Sequence, residues 1–68
     1  MEPFVINLAG QILNIQPRLD GAYDIFEGSE LVGVVKPMSA NEETRWTSEE
    51  LNVDYAKQIG ELIDEHQL

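Results

Sequence analysis

The groups with which this chain could do chemistry are thirteen carboxylates and one histidine, with no cysteine among its 68 residues. Asp20, Asp24, Glu27 and Glu30 crowd one short stretch, and such a cluster would suit general acid/base work or a hard cation. Their spacing lacks the alternating Asp/Asn ligands, the mid-loop glycine and the closing glutamate that let a calcium loop wrap its ion. The same holds for Glu61, Asp64 and Glu65, so neither a metal nor any other cofactor is expected. A serine or threonine nucleophile needs a base within hydrogen-bond reach, usually histidine, and the one histidine is His66 near the C-terminus. It reads as a solvated helix end, where a cation is mildly favoured by the dipole. Gly28 and Gly33 fit a turn and a strand better than a phosphate-binding loop. The expectation is a protein that is not an enzyme.

Charge narrows the partners. The formal net charge is −9, and the four cations Arg18, Lys36, Arg45 and Lys57 are scattered along the chain without a cluster. Nucleic-acid binding draws most of its affinity from cations that release counterions, and anionic membranes attract basic surfaces, so neither partner is expected. No apolar run approaches the roughly 20 residues needed to cross a bilayer. Met1-Glu2-Pro3 lacks the basic start and long apolar stretch of a secretory signal. The expected location is cytoplasmic, in keeping with the absence of cysteine. Residues 1–40 hold two cations against five acids, and residues 41–68 two against eight. Glu49, Glu50, Asp54, Glu61, Asp64 and Glu65 are thus a candidate acidic face. Lys57 and Glu61 are spaced to form an i,i+4 pair that supports a helix.

The elements that position these groups follow from the apolar pattern. A length of 68 residues fits a single domain over 1–68. Strand-like runs at about 4–8 and 11–16 are joined through Ala9-Gly10, with Pro17 closing the second. After the Asp20-Gly21 turn come a third strand at about 22–27 and a fourth at about 31–36, stopped by Pro37. Met38 to Glu43 reads as a loop before a short fifth strand at 44–47. Val53, Ala56, Ile59 and Ile63 recur at helical spacing, which predicts a helix over 53–66 capped by Asn52. A rival capping box at Thr47-Ser48-Glu49-Glu50 would start it near 48 and add Leu51 and Tyr55 to its apolar face. The predicted fold class is α+β: a small antiparallel sheet of four to five strands, a meander able to curl, followed by one C-terminal helix packed on one face.

Strand alternation assigns Phe4, Ile6, Leu8, Leu13, Ile15, Tyr23, Ile25, Val32, Val34 and Trp46 to the helix-facing side, against Val53, Ala56, Ile59 and Ile63. Gly60, an expensive residue inside a helix, marks close approach to a bulky sheet side chain such as Trp46 or Tyr23. Val5, Ile12, Phe26, Leu31 and Val35 are left on the opposite face. One helix cannot cover both faces. Either the sheet curls to bury the second set or that set meets another molecule, and converging apolar residues of this kind mark an interface. The expected function is therefore a non-catalytic protein–protein interaction module that meets a protein partner or forms a homodimer through the second sheet face. The alternative is an acidic inhibitor, immunity-type or nucleic-acid-mimic protein that binds a basic partner through its C-terminal helix.

Overall fold

The computed structural model describes residues 2–40 and 43–67. Five antiparallel strands form one meandering sheet in sequence order: β1 (Phe4–Leu8), β2 (Gln11–Pro17), β3 (Tyr23–Glu27), β4 (Glu30–Ala40) and β5 (Glu43–Thr47). A single helix, α1 (Val53–His66), follows and packs on the sheet, as the α+β reading predicts. Leu8 pairs with Gln11, so Ala9 and Gly10 alone make the first turn. Both have positive φ, 52° and 85°, the signature of a type I′ turn whose twist matches the flanking strands. The Asn7 side chain accepts the Gly10 N–H at 3.0 Å.

β4 departs from the prediction. Its expected end at Pro37 is not an end, because the strand continues to Ala40 and changes partner on the way. Leu31 to Val35 pair with β3, whereas Lys36 to Ala40 pair with β5. The Val34 N–H donates to Glu50 Oε1 at 3.0 Å, so main-chain groups at 34, 36 and 38 point toward the β5 side. Pro37 consequently faces the side where β3 has already ended at Tyr23. A missing N–H costs nothing there, which is why the strand tolerates proline. The predicted loop at 38–43 is thus largely strand, with 41 and 42 outside the described residues.

A β-bulge corrects the facing of β4. Ile25 pairs with Gly33 and the next residue, Phe26, pairs with Leu31, which leaves Val32 as an extra residue. One extra residue exchanges the faces of everything beyond it. Val35 was expected on the outer face and Val34 in the core; Val35 is instead fully buried and Val34 lies on the outer side. Gly33 occupies the inner position beside Leu51, where a Cβ would meet Leu51 Cγ at 2.8 Å.

The helix begins at Val53, as the apolar spacing predicts, with Asn52 Oδ1 accepting the Tyr55 N–H at 2.8 Å. The rival start is used differently. Ser48 Oγ accepts the N–H groups of Leu51 (3.1 Å) and Glu50 (3.3 Å), closing a turn of its own before the helix. α1 buries Ala56, Ile59, Gly60 and Ile63 against Ile6, Leu13, Ile15, Tyr23, Ile25, Val35 and Trp46. Each fully buried Ile or Leu contributes about 1.5–3 kcal/mol. Val53 was expected in this core but is 71% exposed, since it stands in the first turn beyond the sheet contact. Contacts from α1 reach both edge strands, β1 and β5, as well as β4, so the sheet curls around the helix and presents a convex outer face.

The contact that fixes the helix is between Gly60 and Trp46. A Cβ at position 60 would fall inside the van der Waals envelope of the indole carbons Cγ, Cδ1 and Cδ2. In an unconstrained helix, Gly→Ala stabilises by about 1 kcal/mol. Here Gly60→Ala is expected to destabilise by about 2–3 kcal/mol, because the indole must leave its place. Urea denaturation gives the sign directly. At the first turn the sign reverses: Ala9→Asn is expected to raise stability by about 0.5–1 kcal/mol in the same measurement, since Asn tolerates the left-handed conformation that Ala holds at a cost.

Candidate functional site

The convex face is built by the residues that alternate with the core. Val5 and Phe26 both flank Asn14, and Phe26 pairs with Leu31, so Val5, Asn14, Phe26 and Leu31 form one row across β1 to β4. At a strand spacing of about 4.8 Å the row spans roughly 14 Å. Ile12 lies two residues before Asn14 on the same side. Val5 is 54% exposed, Ile12 52% and Leu31 53%, and Phe26 is half-buried. Four of the five outer-face residues expected from sequence are brought together here. Val35 is not among them.

The bulge and the longer β4 put two further apolar residues on this face. Val34 pairs with Asp24, and Met38, 56% exposed, pairs with Arg45. The signal for Val34 was Gly33, since an isolated glycine inside a strand pattern marks a bulge, whereas Met38 joins the face because β4 runs on past Pro37. Of the six large apolar residues that stand exposed among the described residues, four lie on this convex face; the others are Leu19 in the β2–β3 turn and Val53. Val34, Lys36, Met38 and Thr47 also line an open groove of about 330 Å³, closed on its other side by Arg18 and Ser48–Glu50.

The acidic residues are less uniform than their count suggests. Glu50 holds the Val34 amide, and Asp64 Oδ2 accepts the Trp46 Nε1–H at 3.2 Å. Both therefore serve the fold. Asp54, Glu61 and Glu65 stand exposed on the side of α1 away from Ala56, Ile59 and Ile63, and Glu49 is exposed before the helix. The Lys57–Glu61 spacing does not produce an ion pair; the pairs within 4 Å among the described residues are Arg18 with Asp20 (3.2 Å) and with Asp24 (3.6 Å).

The hairpin carboxylates are likewise distributed. Asp20 and Asp24 flank Arg18, while Glu27 Oε2 accepts from Gln11 Nε2 at 2.6 Å, and Gln11 Oε1 accepts from the Tyr55 hydroxyl at 3.1 Å. No three His, Asp or Glu side chains converge as a metal site among the described residues. His66, expected to be merely solvated, stacks on Phe4 with ring centroids 4.0 Å apart and planes 5° from parallel. Among the described residues no helix is long and apolar enough to cross a membrane.

The chain matches no protein-family model, no curated protein and no solved structure.

The two faces of β4 are separable by mutation. Val35→Asp places a carboxylate in the core and is expected to abolish the folded state, at a cost above about 3 kcal/mol. Leu31→Asp, the same parity in sequence but beyond the bulge, is expected to cost less than about 1 kcal/mol. Far-UV circular dichroism and thermal melting of the two variants decide whether the bulge lies between them.

Proposed function

We propose that this chain is a small non-catalytic protein–protein interaction module that self-associates through the convex face of its sheet. The observation that supports the reading is the row Val5, Asn14, Phe26 and Leu31 flanked by Ile12, which leaves three large aliphatic side chains more than half exposed on one surface. Scattered apolar side chains are ordinary on a protein surface, whereas a contiguous set on a sheet face is the usual mark of an interface. The proposed function is binding, and the compartment proposed with it is the cytoplasm, with which the absence of cysteine agrees.

A second reading rests on Glu49, Asp54, Glu61 and Glu65, which stand exposed around the helix and its approach. They would steer a basic protein, as an inhibitor, immunity-type or nucleic-acid-mimic protein does. Affinity for such a partner falls as salt rises, because exposed charge contacts are screened.

Sedimentation equilibrium tests the first reading. A mass that rises from monomer toward dimer between about 1 μM and 1 mM is expected, the range in which a modest apolar interface assembles. A monomer throughout that range removes self-association.

A further inference from the structure

We propose that the bulge in β4 has two seats, opposite Ile25 and opposite Tyr23, and that Leu51, held in the turn before the helix, is the latch that keeps it in the first. The switch concerns which residue the outer face presents and does not depend on what that face binds.

β4 has one residue too many for its partner. Leu31 pairs with Phe26 and Lys36 is the first residue to pair with β5, so Val32 to Val35 are fitted against Ile25, Asp24 and Tyr23. Val34 donating to Glu50 sets the alternation of the ladder, by which Ile25 and Tyr23 turn their main-chain groups to β4 and Asp24 turns its to β2. The surplus residue therefore meets the same kind of ladder position at either end of the stretch. In the observed seat Val32 and Gly33 share Ile25 and both face inward, Gly33 buried and Val32 half-buried against the core. In the second seat Val32 alone pairs with Ile25, Gly33 stands opposite Asp24 on the outer face, and Val34 joins Val35 opposite Tyr23. Leu31 and Lys36 keep their partners in both, because the number of extra residues is unchanged.

Apolar patterning favours the second seat, which sets a valine where the first sets a glycine and withdraws Val34 from the surface. The hydrogen bond to Glu50 does not choose between them, since the residue opposite Asp24 presents its N–H there in either seat. Nor does the backbone demand glycine at 33, which is not among the positive-φ residues. What blocks the second seat lies outside the sheet. Leu51 fills the space over Gly33, where a Cβ would meet its Cγ at 2.8 Å and its Cδ1 at 3.1 Å, so Val32 has no room there while Leu51 stays. Leu51 is fixed in turn by Ser48, whose Oγ accepts its N–H at 3.1 Å. Ser48 and Glu50 wall the same outer groove that Val34 helps to floor. Latch and switched residue thus meet in one groove, and a molecule that fills it biases the seat as any ligand biases two states it contacts differently.

The test is NMR of the intact chain. Asp24 and the residue opposite it form a non-hydrogen-bonded pair with Cα atoms about 4.5 Å apart, so a cross-strand Hα–Hα contact names the seat: Asp24 with Val34 in the first, Asp24 with Gly33 in the second. The wild-type chain is expected to give the first. Leu51→Ala is expected to shift the ratio toward the second by about tenfold or more, and Leu51→Ala with Val34→Lys to restore the first, because the second seat would bury the lysine. Leu51→Val, a smaller truncation, is expected to bring microsecond-to-millisecond exchange confined to residues 32–35. A folded Leu51→Ala chain that keeps only the Asp24–Val34 contact overturns the second seat. Should Leu51→Ala not fold, a Leu51→Val chain without that exchange overturns it equally.

Discussion

The seat of Trp46 on Gly60 is the interaction on which the other features depend. β5 is bonded on one side only, to the far half of β4, and β3 does not reach that half. What keeps this hairpin against the domain is therefore side-chain packing. Trp46 supplies it: the indole lies on the bare backbone at Gly60, its Nε1–H reaches Asp64, and its ring meets Tyr23 at 5.7 Å with the planes tilted by 54°. Tyr23 in turn accepts from Gln67 Nε2 at 3.0 Å. One aromatic residue thus joins the last strand, the third strand and the end of the helix. The polar tip of a buried indole needs a partner, and Asp64 provides it at the rim of the core.

Curling follows from the same contact. With β5 held to the helix at one edge and β1 touching it at the other, the sheet wraps α1. Among the described residues no element covers the outside of that wrap. The concave side takes the core, and the convex side keeps Val5, Ile12, Leu31 and Met38 more than half exposed. Curling was one of two ways to bury the second apolar set. In this fold it buries Val35 by way of the bulge and leaves the rest outside.

Most of the fold was legible because it is local. The helix limits, its Asn52 cap and the approach of a bulky sheet side chain to Gly60 follow from spacing and from the cost of glycine in a helix, while the structure selects Trp46 over Tyr23 there; the first hairpin follows from two strand-like runs around Ala9-Gly10. What was not legible depends on partners distant in the chain. Pro37 reads as a stop until one knows that β3 ends opposite Val35, which leaves the proline facing no neighbour. Val35 reads as an outer residue until the extra residue Val32 is placed. Gly33 carried the hint, but its second cause is the Leu51 side chain beside it, which no local pattern announces. The same is true of the acids: Glu50 and Asp64 are indistinguishable in sequence from Glu49 and Glu65, yet they satisfy an amide and an indole.

That division of labour among the carboxylates bears on function. Glu50 and Asp64 hold a main-chain amide and an indole while staying exposed, so the acids of the helix region serve the fold as well as the surface, and Lys57 interrupts their run. Acidity, which alone suggests only solubility, is divided by the fold: Asp54, Glu61 and Glu65 lie on the far side of α1, while Asp20 and Asp24 pair with Arg18 and Glu27 accepts from Gln11.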